Sequence, residues 1–148
     1  MGDLSQHFSR HEFACRCCGK ALVSPELIAS LEALRDRIGT PIRILSGYRC
    51  PEHNRAIGGA ASSQHLEGKA ADIATALPLQ TLHKEALLIT SFAHGGIGIY
   101  PESNFLHLDV RGHLARWGYV RGQYVSVQDA LSFIRASLVS DEGARKDA

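Results

Sequence analysis

This chain has little net charge, no long apolar run and few aromatic residues, and each shortage excludes something. Its 16 Lys and Arg face 15 Asp and Glu, for a formal net charge of +1. That gives no electrostatic case for nucleic-acid binding, and no basic stripe with interleaved aromatics is present. No apolar run reaches the ~18 residues that a membrane-crossing helix needs, so no membrane insertion is expected. The opening MGDLSQHFSR lacks the apolar stretch of a secretory leader. Gln6 stands at the usual Ser/Thr position, so Met1-Gly2 is a poor myristoylation match. There is no internal repeat, no linker and no low-complexity stretch. One domain is expected over residues 1–148, with a polar tail, DEGARKDA, frayed from about residue 140.

What is present suits a folded domain. Apolar residues make up 45% of the 148, enough for a real core and too many for disorder. Ser24-Pro25-Glu26 is a helix start, a capping serine followed by proline in the first turn, and the helix should end at Gly39. Leu27, Ile28, Leu31 and Leu34, with Ile44 and Leu45 beyond them, are the core candidates of that region. Pro51 opens a short helix that should stop at Gly58-Gly59. Leu79 to Ala93 reads as one amphipathic helix stopped by Gly95-Gly96, and Ser126 should cap a last helix through Leu138. Strands are expected near 42–46, 69–74, 96–100 and 105–111, the last two as a hairpin. Together these predict an α+β fold, a small, mainly antiparallel sheet with helices on one face and the functional site on the other.

Two distant pieces of chain carry metal-binding chemistry. In the first, SQHLEGKAAD, His65 and Asp72 are seven residues apart. On one helix that spacing rises roughly 10 Å, too far for two ligands each about 2 Å from one ion. The chain must turn back between them, and Gly68 is the residue that permits it. In the second piece, FLHLDVR, Leu106, Leu108 and Val110 alternate with His107, Asp109 and Arg111. That is a strand with one polar face, and it places His107 and Asp109 on the same side, about 6.5–7 Å apart at Cα. The histidine can bind a metal while the aspartate orients that histidine or a metal-bound water.

In this order the blocks Ser46-Gly47-Tyr48-Arg49, Ser63-x-His65-x-x-Gly68-x-Ala70-x-Asp72 and Phe105-Leu106-His107-Leu108-Asp109 resemble the zinc D-alanyl-D-alanine carboxypeptidase family. That family includes phage endolysins cutting L-alanyl-D-glutamate bonds and the vancomycin-resistance dipeptidases, and it shares the hedgehog signalling-domain fold. The likeness runs from about Leu4 to about Trp117 and is nearest to the small single-domain bacterial or prophage branch. The resemblance implies His65, Asp72 and His107 as ligands of one catalytic zinc ion. It implies Arg49 as the arginine that meets substrate or its developing charge, and Ser63 as a substrate-side hydroxyl. It also implies hydrolysis of peptidoglycan peptides by a metallopeptidase, expected to act as a monomer. Without a leader, a cytoplasmic protein, or a phage-encoded one released to the cell wall, is expected.

One position departs from the pattern. Many members carry Glu or Asp three residues before the last zinc histidine, as general base. Here that residue is Asn104, which cannot take a proton. Asp109 is the first substitute candidate and Glu102 the second. The departure keeps open a catalytically weak zinc-containing cell-wall-binding module, and an amidohydrolase acting on another small substrate. The bond cut stays open as well: D-Ala-D-Ala, a crosslink to diaminopimelate, or L-Ala-D-Glu.

The cysteines stand apart from this motif. Cys15, Cys17 and Cys18 cluster near the start, and Cys50 lies far along the chain. Three readings are open: a disulfide from the cluster to Cys50, a Cys-rich structural metal site despite the unusual CxCC spacing, or free thiols. A cysteine peptidase built on Cys50 and His53 is disfavoured, since no third orienting residue is evident. The resemblance suggests that the cysteines are structural rather than catalytic.

Overall fold

The computed structural model describes residues 2–146. Its helices are α1 (Pro25–Ile38), α2 (Pro51–Ala56), α3 (Leu79–Ala86), α4 (Thr90–Ala93) and α5 (Val127–Lys146). Its strands are β1 (Arg43–Ser46), β2 (Ala70–Ala74), β3 (Gly96–Tyr100), β4 (Phe105–Asp109), β5 (Ala115–Val120) and β6 (Gln123–Val125). They form one sheet in the order β1-β2-β4-β3-β5-β6, in which β3 and β5 alone run parallel. The expected α+β architecture with a mainly antiparallel sheet is therefore present.

Local chemistry explains most boundaries. Ser24 Oγ accepts the Leu27 N–H at 3.4 Å, Pro25 fills the first turn, and Gly39 ends α1 in the left-handed conformation at φ 65°. The Ser126 hydroxyl accepts the Asp129 N–H at 3.0 Å and starts α5, which continues past Leu138 to Lys146. The expected single helix over 79–93 is broken in two. Ile89 adopts an extended conformation (φ −92°, ψ 114°) between α3 and α4, leaving Leu88 exposed while Ile89 and Phe92 stay buried. The β5–β6 hairpin was not expected. Its turn is Arg121-Gly122, both at positive φ, which is turn geometry usually signalled by Asn-Gly.

Strand pairing sorts residues into rows across the sheet. Ile44, Ile73, Leu106, Ile99 and Gly118 are successive partners in one row. The adjacent row, with side chains on the opposite face, joins Ser46, Asp72, His107, Gly98 and Trp117. The first row, together with Ala71, Ile97 and Leu108, meets Leu27, Leu31 and Leu34 of α1 and Leu82 and Phe92 of α3 and α4 in one core. A register shift between Ile44 and Ser46 on β1 brings Ser46 opposite Asp72.

The N-terminal segment is pinned by one carboxylate. Glu32 on α1 accepts hydrogen bonds from the Ser5 hydroxyl, the His7 N–H at 2.7 Å and His7 Nδ1 at 2.7 Å. This docks the stretch that places Phe8 and Phe13 in the core. Burial opposes ionisation of Glu32, but the bonds from Ser5 and His7 outweigh it and hold the carboxyl below its ordinary 4.5.

Two outcomes follow. Leu106→Ala should cost about 2–5 kcal/mol in urea unfolding, whereas Leu114→Ala, at an exposed loop position, should fall within about 0.5 kcal/mol of the parent. Glu32 is more acidic when folded, so its contribution should be full above about pH 4.5 and lost as pH falls through its depressed folded value. Hydrogen exchange at the His7 amide should accelerate in that acid window. Glu32→Gln should show the faster exchange already at neutral pH.

Candidate metal centre and cleft

The polar row of the sheet is the floor of a cleft. Asp72 on β2 and His107 on β4 are direct cross-strand partners. His65 arrives from a 3-10 turn, Gln64–Glu67, whose start is capped by Ser63 Oγ accepting the His65 N–H at 3.2 Å. Gly68, at φ 69°, then reverses the chain into β2, as the ligand spacing required. A side chain there would also strike the Leu22 backbone.

Each imidazole is oriented by its rear nitrogen. His65 Nδ1 donates to the Gly47 carbonyl at 2.7 Å, which directs Nε2 toward Asp72 Oδ1 at 3.2 Å. His107 Nε2 donates to Asp109 Oδ2 at 2.6 Å, which directs Nδ1 toward the same Asp72 oxygen at 3.1 Å. The three ligand atoms lie within 4.8 Å of one another, and all three residues are buried. Two imidazole nitrogens and one carboxylate oxygen, each braced from behind, fit a borderline divalent ion with a coordination position left for water.

The electrostatics agree with this fit. Burial opposes ionisation of Asp72, yet hydrogen bonds from His107 and His65 outweigh it and hold the carboxyl far below the usual range. Burial likewise disfavours charge on His107, and Asp109 and Asp72 overcome it, raising the imidazole above its ordinary value. A cation competes with the Nδ1 proton, so metal binding should release a proton and weaken as pH falls.

Arg49 spans the cleft wall. Its Nε donates to Ser46 Oγ at 3.2 Å, Nη1 to Asn54 Oδ1 at 3.3 Å and Nη2 to Asp72 Oδ2 at 3.3 Å. Gly59 has to be glycine for this packing, because a Cβ would run into the Asn54 side chain. The cleft itself is a cavity of ≈ 410 Å³, lined among others by Arg49, Ser63, Gln64, Tyr100, Trp117 and Tyr124. Trp117 Nε1 donates to Tyr100 Oη at 3.0 Å, and its ring lies 4.9 Å from that of His107. Gly98 makes room for that indole, which a side chain on β3 would displace.

The structure brings together Arg49, Ser63, His65, Asp72 and His107, as the sequence predicts. It places the two base candidates elsewhere. Asp109 is fully buried behind His107. Its Oδ1 accepts from the Gly96 N–H, the Arg111 N–H and Arg111 Nε, and its Oδ2 from His107 and Arg111 Nη2. No lone pair is left to take a proton from a water in the cleft, so the geometry favours orientation of His107, the other role open to it. Glu102 accepts the Arg121 N–H at the surface and does not line the cleft. Asn104 does not line it either. It occupies the β3–β4 turn at φ 54°, a left-handed conformation that asparagine tolerates well. Sequence reasoning missed Asn54 and Arg111. Only the alternation of FLHLDVR hinted at Arg111, and no spacing signal pointed to Asn54.

Asp109→Asn should keep the fold but loosen the His107 ring. Metal affinity should fall about 10–100-fold by competition with a chromogenic chelator. An unchanged affinity would mean that the carboxylate does not brace the site.

The family model for peptidase M15 matches residues 6–109. The peptidoglycan L,D-endopeptidase MepK of Escherichia coli is 36% identical over 103 residues, covering 64% of this chain and 54% of the relative. The Shigella flexneri protein of the same name matches equally. The probable peptidoglycan L,D-endopeptidase MepK of Haemophilus influenzae is 32% identical over 104 residues, with the same coverage. The chain spans about half the length of these curated relatives. The matched segment holds His65, Asp72 and His107, and the chain belongs to the peptidase M15 family.

Proposed function

We propose that this chain is a zinc-dependent peptidase that hydrolyses peptidoglycan peptides, of endopeptidase rather than terminal carboxypeptidase type. The observation that carries the reading is the convergence of His65 Nε2, Asp72 Oδ1 and His107 Nδ1 on the floor of an accessible cleft. The peptidoglycan substrate and the L,D bond type are supported by the names of the relatives. A zinc ion held by these three residues would bring the pKa of a bound water to about 7 and polarise a substrate carbonyl.

The other residues bind and orient. Three of the five Arg49 N–H groups are used within the protein, and two remain for a substrate carboxylate or a developing oxyanion. Burial raises the Tyr100 phenol above its ordinary value, so it stays protonated. It accepts from Trp117 and has its own O–H free to donate to a substrate oxygen. Gln64 Oε1 is buried without a hydrogen-bond partner, and a substrate N–H in the cleft would satisfy it. Asp109 is a positioning residue, acting through His107.

A second reading has one observation in its favour. Among the described residues Asp72 is the one carboxylate on the cleft lining, which also suits a zinc-bearing wall-binding module. The test is incubation with purified peptidoglycan and with defined L,D- and D,D-linked muropeptides, read by mass spectrometry. Cleavage of the L,D bond should vanish with chelator, return with zinc, and be absent in His65→Ala. Tyr100→Phe should lower kcat about 10²–10³-fold with KM little changed. A zinc-loaded protein that retains peptidoglycan on pull-down but cuts neither linkage would replace the peptidase with the binding module.

A further inference from the structure

Away from the cleft, a second cluster of soft ligands is assembled. The Sγ atoms of Cys15, Cys18 and Cys50 lie within 4.8 Å of one another, and all four cysteines of the chain are free thiols. The segment is a tight loop. Gly19 N–H donates to the Cys15 carbonyl at 2.9 Å, and Cys15 N–H to the Lys20 carbonyl at 2.7 Å. Gly19 sits at φ 74°, where a side chain would be strained. The effective spacing is thus Cys15-x-x-Cys18-Gly19, a two-residue gap that presents two sulfurs to one side, and not the CxCC pattern that the sequence shows at first sight.

The third ligand is built in by a different element. Cys50 is the N-cap of α2, and its sulfur receives the His53 N–H at 3.4 Å. Its own N–H points at Cys15 Sγ, also at 3.4 Å. Cys15 and Cys50 are buried, whereas Cys18 closes the cluster at the surface. Several thiolates at this separation repel one another unless a cation is shared among them.

We propose that Cys15, Cys18 and Cys50 form a second metal site, structural in role, for a soft divalent ion such as zinc. This site is independent of what the cleft does. It ties the loop before α1 to the residue that follows Arg49, where Tyr48 N–H already bonds the Phe13 carbonyl at 2.8 Å and Arg16 bonds the Leu45 carbonyl at 3.1 Å. Three thiolates drawn from two distant segments of chain would make the ion a cross-link that holds the fold together. Its binding free energy would add to folding stability.

The test is metal content of the protein purified under reducing conditions, together with the absorption spectrum of the cobalt-substituted form. Wild type should hold two zinc ions per chain and His65→Ala one. The cobalt form of His65→Ala should keep a thiolate-to-metal charge-transfer band in the near ultraviolet. Cys15→Ser should lose that band, and Cys18→Ser, an exposed change, should weaken it without unfolding the protein. Should Cys15→Ser fail to fold, the His65→Ala cobalt spectrum still decides. A single zinc that disappears in His65→Ala, with no sulfur band in any form, would overturn the site. So would a disulfide within the cluster, shown by intact mass and thiol counting. A single zinc that survives His65→Ala with its sulfur band intact would support this site while removing the cleft metal.

Discussion

The pairing of Asp72 with His107 across β2 and β4 is the constraint on which the rest depends. A slip of one residue in that register would turn both side chains to the wrong face. What forbids the slip is the neighbouring row, where Ile73, Leu106 and Ile99 are buried against the helices. Each such side chain contributes roughly 1.5–3 kcal/mol by leaving water. A slip would expose the apolar row and bury the polar one. The candidate metal centre therefore inherits its precision from the core on the other side of the sheet.

The cost of that precision is two buried aspartates, and each is compensated differently. Asp109 accepts five hydrogen bonds, from Gly96, His107 and three groups of Arg111. Such a carboxylate is stable only because nothing near it is left unpaired. The absence of a side chain at Gly96 is part of the arrangement, since a Cβ would collide with the carboxylate. Asp72 instead divides its oxygens, one toward both histidines and one toward Arg49. The first aspartate is spent on rigidity, and the second stays on the cleft floor.

Residues 47–50 connect these parts. The Gly47 carbonyl fixes the His65 tautomer, Tyr48 ties to Phe13, Arg49 reaches Asp72, and Cys50 completes the sulfur cluster. Gly47 packs so closely on Phe13 that any side chain would strike its backbone. A short stretch after β1 thus couples the N-terminal loop, the cleft wall and the first histidine, so slack in one is transmitted to the others.

The sequence by itself determined most local elements and made the candidate ligands legible. Ser24-Pro25 and Gly39 bound α1, the alternation in FLHLDVR set the faces of β4, and Gly68 turned the chain between His65 and Asp72. These are short-range effects of capping, pleating and backbone freedom, legible from neighbours in the chain. Tertiary structure alone decided the rest. The faces of FLHLDVR put Asp109 beside His107, but only the approach of Gly96 and Arg111 claimed all its lone pairs and left it a brace. Asn104 looked like a missing catalytic acid, but the turn it occupies needs its conformation instead. The parallel placement of β5 on β3 brought Trp117 over His107, and a loop closed at Gly19 converted CxCC into a two-residue spacing facing Cys50. Those outcomes depend on groups distant in sequence meeting in space, and no local pattern encodes such meetings.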